Sequence, residues 1–172
     1  MPNYADINGR PMKKLQIQQY LRKLQLNDFE PAVNLATLTK LQDAHLKYIP
    51  YENFDSLNGK ITSLKRQDMF NKVIMHNRGG ICFELNGLYN WLLESLGFEV
   101  TSYAARFIDK METYQLRRHR VMCVALGEKR YLTDVGVNSE SPRVPLEITE
   151  GLIQSDGISQ YKFTRSEFWG WL

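Results

Sequence analysis

The sequence predicts an α+β protein, with helices in its first half and strands in its second. Two observations support this prediction: apolar residues recur at helical spacing as far as Gly97, and beyond it short apolar runs alternate with turn residues. A chain of 172 residues with 43% hydrophobic side chains can bury a core as one domain or two. We expect a helical domain over residues 1–97 and a strand-rich domain over residues 98–172.

Four helices are predicted in the first half, each from an apolar stripe that repeats every three to four residues. The second helix stops before Pro50, because proline lacks the backbone N–H that a helix interior needs. The fourth begins near Cys82 and ends at Gly97, which readily adopts the left-handed conformation common after a helix end. The stripes are Ile17, Tyr20, Leu21 and Leu24; Leu38, Leu41, His45 and Tyr48; Phe70, Val73 and Ile74, in a helix from about Leu64 to His76; and Leu85, Leu88, Tyr89, Leu92, Leu93 and Leu96.

Strands are predicted after the fourth helix, and two of them form a hairpin. A two-residue turn at 127–128 places Leu126 opposite Lys129, which makes Asp134 the diagonal neighbour of His119 on one face of the sheet. A slip of one residue would send Asp134 to the other face. The predicted strands cover residues 98–107, 119–126, 130–135 and 161–163.

Charge and hydropathy exclude several classes of protein. The 22 basic and 19 acidic side chains leave a net charge of +3, and the basic residues are scattered, so we expect no nucleic-acid partner. The sequence contains no apolar stretch of roughly 18 residues and no N-terminal secretory pattern, so we expect no membrane association. With only Cys82 and Cys123, a disulfide scaffold is excluded. We therefore expect a cytoplasmic protein whose thiols are available for chemistry.

Cys82 is the candidate nucleophile. It follows Arg78-Gly79-Gly80-Ile81, where two glycines let the backbone turn sharply, and it falls in the first turn of the fourth helix. Unpaired N–H groups and the positive end of the helix dipole favour the reactive thiolate there. A buried cysteine that packs as a small hydrophobe explains the same position. Both interpretations remain open from the spacing alone.

A nucleophilic cysteine needs a base, and the base needs an orienting group. Of the three histidines, His45 lies on an apolar stripe and is predicted to pack in the core, whereas His76 ends the third helix. His119 opens a strand and has Asp134 as its diagonal neighbour, so this pair supplies a candidate base and orienting carboxylate. A surface His–Asp pair without a catalytic role is the alternative.

The segment around Cys82 resembles the nucleophile motif of the arylamine N-acetyltransferase family, R-G-G-x-C-x-E-x-N. The chain reads Arg78-Gly79-Gly80-Ile81-Cys82-Phe83-Glu84-Leu85-Asn86 and matches every fixed position. Upstream, His45-Leu46 and Ile49-Pro50-Tyr51-Glu52-Asn53-Phe54 resemble the family's H-L…I-P-F-E-N-L segment. Downstream, His119-Arg120-Val121 and Asp134-Val135-Gly136 fall where the family places its catalytic His and its D-V-G-F-G strand.

The resemblance implies a papain-like (cysteine proteinase-like) fold, with a helical N-terminal domain that carries the cysteine and a β-barrel domain that carries His and Asp. It also implies ping-pong acetyl transfer from acetyl-CoA, as co-substrate, to a small aromatic amine or hydrazine through an acetyl-cysteine thioester. Cys82 would be the nucleophile, His119 the base and Asp134 the group that orients the imidazole. We expect no permanently bound cofactor or metal.

The same resemblance implies two further sets of site residues. One set supports the nucleophile, and the other lines the substrate cleft. The supporting residues are Arg78, Gly79, Gly80, Glu84 and Asn86, and the substrate-side residues are Tyr51, Phe54 and Val137.

The chain departs from the family pattern in two places. Val137-Asn138 stands where the family has Phe-Gly, which removes an aromatic wall and adds a side chain where bare backbone would let an acyl-CoA approach. Family members also continue into a third domain that packs over the cleft. We therefore expect the third domain to be missing and the β-barrel domain to be cut short.

Three functions remain open at this point. The leading hypothesis is an arylamine N-acetyltransferase, or its first two domains. The runner-up is a truncated, catalytically inactive relative that keeps the fold or binds only CoA or another partner. A cysteine hydrolase or transglutaminase-like enzyme with the same triad ranks third, because Glu84 and Asn86 match the acetyltransferases specifically.

Overall fold

The computed structural model describes residues 9–108, 116–137 and 140–172, and within them helices precede strands. The predicted α+β class is therefore confirmed. Among these residues, no helix combines the length and the apolar character that crossing a membrane requires. The helices are α1 (Lys14–Lys23), α2 (Leu35–Tyr48), α3 (Phe54–Leu57), α4 (Arg66–Phe70) and α5 (Cys82–Ser95), and the strands are β1 (Glu99–Ala105), β2 (His119–Leu126), β3 (Lys129–Thr133), β4 (Leu146–Glu147), β5 (Ile153–Ser155), β6 (Gln160–Lys162), β7 (Arg165–Ser166) and β8 (Gly170–Trp171).

Helix α5 forms the centre of the core. The predicted stripe is buried as far as Leu93 and half-buried at Leu96, and every residue from Glu84 to Leu93 is shielded from solvent. Leu24, directly after α1, and Leu41 of α2 belong to the same apolar cluster, which continues into the sheet through Met122. Because α5 is packed on all sides, the position of its first residue is fixed relative to both the helices and the strands.

The third predicted helix is shorter and composite. Helix α4 continues as a π-helical turn over Asn71–Met75, so the helical segment begins later than the predicted Leu64. Val73 and Ile74 are buried as predicted. The spacing of apolar residues does not distinguish these helix types, because the same side chains face the core in both. Short π-helical segments occur frequently at functional sites.

Strands β1 to β4 form one antiparallel sheet in that order. The β2–β3 hairpin has the predicted register, since Leu126 faces Lys129 and Met122 faces Thr133. Gly127 takes a positive φ of 61° in the turn. The register directs the residues just outside the ladder, His119 and Asp134, towards the same face.

The described strands do not close into the expected β-barrel. Strands β1 to β4 form an open sheet, and the remaining strands form two separate two-stranded ribbons, β5–β6 and β7–β8. A barrel needs every edge strand to be hydrogen-bonded to a neighbour. Strand β4 begins directly after Pro145 and pairs with β3 through only two residues, which is too short a ladder to continue the sheet.

Candidate active site

Cys82 is the first residue of α5 and follows a tightly packed glycine turn. A Cβ at Gly79 would lie 2.1 Å from the carbonyl oxygen of Pro50, so only glycine fits there. The backbone N–H of Glu52 donates to the carbonyl of Gly80 at 3.0 Å. These contacts hold the start of α5 against the preceding loop, where the Cys82 side chain is half-buried.

His119 and Asp134 form a buried pair beside this cysteine. Imidazole Nε2 lies 2.6 Å from Asp134 Oδ2, and the two residues are only 3% and 6% exposed. Burial alone would lower the pKa of His119. The hydrogen bond to Asp134, with a contribution from Cys82, outweighs burial and raises this pKa from 6.5 to about 9. The imidazole therefore carries a proton at neutral pH.

The second ring nitrogen of His119, Nδ1, remains available to the Cys82 thiol. Nδ1 is buried and has no hydrogen-bond partner within the described residues. Cys82 lies close enough for its charge to raise the pKa of His119. The Cys82 sulfur also lies 3.7 Å from the carbonyl oxygen of Arg118, which can accept the S–H. Cys82, His119 and Asp134 thus meet from three separate segments.

Asn86 holds the Asp134 carboxylate from one helical turn beyond the nucleophile. Its Nδ2 donates to Asp134 Oδ1 at 2.8 Å and also to the carbonyl of Arg120. Its Oδ1 accepts from the N–H of Val135 at 2.8 Å, and the N–H of Gly136 donates to Asp134 Oδ1 at 2.8 Å. One fully buried amide therefore ties α5 to β2 and to the segment that follows β3, and it fixes the orientation of the carboxylate.

The segment after Asp134 passes directly over the start of α5. A Cβ at Gly136 would lie 2.6 Å from Asn86 Nδ2 and 2.9 Å from the Cα of Cys82, so glycine is required. Val137 is half-buried, and its N–H donates to the hydroxyl of Ser141 at 3.0 Å. The departure predicted at Asn138 lies outside the described residues.

Ion pairs support the loop that precedes Cys82. Arg78 Nη2 lies 2.7 Å from Glu52 Oε1 and 3.3 Å from Asp55 Oδ1. Asp55 also lies 2.9 Å from the ammonium of Lys72. The hydrogen bond from Lys72 is the main cause that lowers the pKa of Asp55 from 3.8 to about 2. Arg78 thus joins the glycine turn to helix α3.

Glu84 supports the first turn of α5 from inside the protein. It is 2% exposed, and its carboxylate is paired with Lys72 at 2.8 Å. Its Oε2 also accepts the N–H of Ile81 at 2.9 Å, which satisfies an otherwise unpaired donor at the helix start. A Cβ at Gly80 would come within 3.0 Å of this side chain. The predicted supporting residues therefore cluster behind the nucleophile.

Two aromatic side chains, Tyr51 and Phe107, lie beside the cysteine and the histidine. Tyr51 forms an isolated bridge with Gly80 and is 41% exposed, and burial together with the charge of Cys82 raises its pKa. Phe54, the first residue of α3, is 61% exposed. The ring of Phe107 lies 5.0 Å from the His119 imidazole between centroids.

The other two histidines lie away from this cluster. His45 is fully buried, with its ring centroid 6.0 Å from Tyr20 and 5.4 Å from Tyr89. Burial lowers the pKa of His45 to about 3, so this ring is neutral and packs in the core as predicted. His76 is exposed at the end of the π-helical turn.

The sequence pattern does not predict the positions of Lys72 and Phe107 in the site. The four-residue spacing between Lys72 and His76 does not predict an ion pair. The partners of Lys72 are Asp55 and Glu84, which are distant in sequence. For Phe107, the sequence predicts only that it is the last residue of a strand. The end of that strand lies beside His119, and an aromatic residue there is the one sequence feature that indicates a place in the site.

Comparison with known proteins links this geometry to a family. The profile of a family described as N-acetyltransferase matches residues 34–171. An arylamine N-acetyltransferase of Mycolicibacterium smegmatis is 35% identical over 152 residues, which cover 85% of this chain and 55% of that protein. An arylamine N-acetyltransferase of Escherichia coli strain K12 is 33% identical over 132 residues, covering 76% and 47%. The chain therefore spans about half the length of these curated relatives.

Solved structures of similar proteins share the fold. An arylamine N-acetyltransferase from Salmonella typhimurium superposes with a TM-score of 0.84 at 26% identity, covering 94% of this chain and 62% of that one. The enzyme of the same name from Mycobacterium abscessus gives a TM-score of 0.84 at 28% identity, covering 97% and 57%. The similarity thus extends over nearly all of this chain and over little more than half of each structure.

Proposed function

The chain belongs to the arylamine N-acetyltransferase family, and on that premise we propose that it transfers an acetyl group from acetyl-CoA to the nitrogen of a small aromatic amine or hydrazine. In this proposal Cys82 is the nucleophile, His119 carries the proton and Asp134 orients the imidazole. The observation that supports it most strongly is the buried 2.6 Å hydrogen bond between His119 and Asp134, beside the Cys82 thiol.

In the first half-reaction the Cys82 thiolate attacks the carbonyl carbon of acetyl-CoA, and a new C–S bond forms. The bond between that carbon and the CoA sulfur then breaks. The departing sulfur takes the proton of the His119 imidazolium, so CoA leaves as a thiol. This step needs a protonated imidazole, which a His119 pKa of about 9 supplies at neutral pH. Backbone N–H groups at the start of α5 provide donors for the transient oxyanion.

In the second half-reaction the amine nitrogen attacks the carbonyl of the acetyl-cysteine. The amine proton passes to the neutral imidazole of His119, and the Cys82 thiolate leaves, which restores the starting pair of ions. Asp134 takes no proton, because its role is to hold Nε2 and to stabilise the imidazolium. A thioester is energetic enough to acylate a weakly basic aromatic amine.

The side chains around the thiol favour an aromatic acceptor. Exposed rings of Tyr51 and Phe107 flank Cys82 and His119, and they offer faces and edges against which an aromatic amine can stack. Phe54, exposed at the start of α3, is the third aromatic side chain that this proposal assigns to the acceptor. Val137 gives a less extensive wall than an aromatic residue, which leaves room for a broader acceptor.

The papain-like arrangement and the division into residues 1–97 and 98–172 belong to the same proposal. Both are supported by the origin of the site residues. Cys82 comes from helix α5, whereas His119 and Asp134 come from strand β2 and the position directly after strand β3. Both cysteines are free, which fits a reducing compartment such as the cytoplasm.

Release of CoA tests the first half-reaction. We expect a burst of CoA equal to the amount of protein when the chain is mixed with acetyl-CoA. Cys82→Ser should abolish the burst, whereas Cys123→Ala, which removes the buried thiol on β2, should leave it intact. An undiminished burst from Cys82→Ser would exclude the nucleophile, and a folded wild-type chain without a burst would favour the inactive relative.

Acceptor turnover is tested separately, because the chain spans about half the length of its curated relatives. We expect an aromatic amine or hydrazine to accelerate CoA release after the burst. A burst that no such acceptor accelerates would limit the function to acylation of Cys82 and contradict the second half-reaction.

A further inference from the structure

A second cleft lies between α5 and the strands β1 and β2. It has a volume of about 280 Å³, and its charged side chains are Arg66, Glu94 and Arg120. Arg120 directly follows His119 in β2, and neighbouring side chains of a strand point to opposite faces of the sheet. The cleft is therefore separate from the candidate active site.

The cleft holds two guanidinium groups and one carboxylate, and that carboxylate is already engaged. Glu94 Oε2 accepts from Arg66 Nη2 at 2.5 Å, and its Oε1 accepts from Asn90 Nδ2 at 2.7 Å. Arg66 also donates through Nη1 to the carbonyl of Gly9 at 2.6 Å. Arg66 and Glu94 thus neutralise one another, and the remaining positive charge of the cleft belongs to Arg120.

Arg120 contacts a neutral group only. None of the ion pairs found in residues 9–108, 116–137 and 140–172 includes it. Its Nε and Nη2 donate to the hydroxyl oxygen of Ser102 at 3.3 and 2.9 Å. Burial lowers the pKa of Arg120, the charge of Glu94 opposes this effect, and the charge of Arg66 adds to it.

The contacts of Arg120 fix the plane of its guanidinium and leave one nitrogen open. The Ser102 hydroxyl, which receives two of its N–H groups, donates in turn to Asn90 Oδ1 at 3.1 Å. Nη1 makes no hydrogen bond within the described part of the chain. A Cβ at Gly87 would lie 2.9 Å from Nη1 and 3.1 Å from Met69 Sδ, so glycine leaves the space that this nitrogen needs.

We propose that this cleft binds one inorganic phosphate ion on Arg120. A guanidinium held in this plane can offer the N–H groups of Nη1 and the second N–H of Nη2 to two phosphate oxygens. The anion would supply the counter-charge that the Ser102 hydroxyl lacks. Glu94 adds little repulsion, because its charge is balanced by Arg66.

Equilibrium dialysis of the full chain against labelled inorganic phosphate tests this site at fixed ionic strength and neutral pH. We expect saturable binding of one phosphate per chain. Arg120→Gln should weaken binding at least about tenfold, because it removes a charge-assisted hydrogen bond. Arg130→Gln removes a guanidinium from an exposed position of β3 and should leave the affinity unchanged.

Arg120→Lys provides a second comparison that retains the positive charge. It should also weaken phosphate binding, because an ammonium lacks the planar pair of donors. Absence of saturable binding by the wild type overturns the proposal, as does equal affinity of the wild type and either Arg120 variant. No part of this test depends on acetyl transfer.

Discussion

Replacing Asp134 with Asn removes the carboxylate charge and keeps the shape of the side chain. In the wild type, burial lowers the pKa of His119, but the contributions of Asp134 and Cys82 together outweigh burial and raise this pKa from 6.5 to about 9. This difference corresponds to about 3 kcal/mol in favour of the imidazolium. Without the carboxylate, burial dominates, and we expect the pKa of His119 to fall below its usual value.

The sign of the pH dependence follows from this difference. Because folded His119 binds its proton more tightly than the unfolded chain does, its contribution to stability is complete below pH 6.5 and is lost as the pH rises through about 9. We expect the free energy of unfolding of the wild type to fall by up to about 3 kcal/mol over this window. Asp134→Asn should lose much less over the same window.

Urea unfolding at a series of pH values across this window measures the effect. Asp28→Asn, a substitution at an exposed position, is the matched control and should keep the wild-type pH dependence. The difference between variants reports the proton that Asp134 stabilises on His119, because the titratable groups away from this pair are common to all three proteins. Equal pH slopes for the wild type and Asp134→Asn would refute the assignment of this proton to His119.

Two substitutions test the contacts that support the candidate site, and urea unfolding measures their effect on stability. Gly136→Ala should lower the free energy of unfolding by about 1–3 kcal/mol, because its Cβ would lie 2.6 Å from Asn86 Nδ2. Lys72→Met should cost about 3–5 kcal/mol, because it leaves the Glu84 carboxylate buried without its cation. Lys14→Met, on the exposed face of α1, should change stability by no more than about 0.5 kcal/mol. If Gly136→Ala or Lys72→Met were as stable as the wild type, that result would contradict the contacts described for that residue.

The features that the sequence predicted well depend on local chemistry. Helix α5 begins at Cys82 because the glycine turn and the apolar stripe lie within one short stretch. The register of the β2–β3 hairpin follows from its two-residue turn, which sets Leu126 opposite Lys129. The proximity of His119 to Asp134 then follows from the alternation of side chains along the strands.

The features that the sequence did not predict depend on tertiary packing. The π-helical turn over Asn71–Met75 buries the same side chains as an α-helix would, so periodicity cannot reveal it. Strands β4, β5, β7 and β8 contain two or three residues each, too few to show an alternating pattern. The pairing of Lys72 with Glu84 requires α5 to pack beside the π-helical turn, which no local pattern specifies.

The most direct test of the central claim is to locate the acetyl group after the folded chain has been exposed to acetyl-CoA. Mass spectrometry of the intact protein and of its peptides measures both the number of groups and their position. We expect one acetyl group, on the peptide that contains Cys82, and none on Cys123. An adduct at another residue, or folded protein without an adduct, would contradict the account.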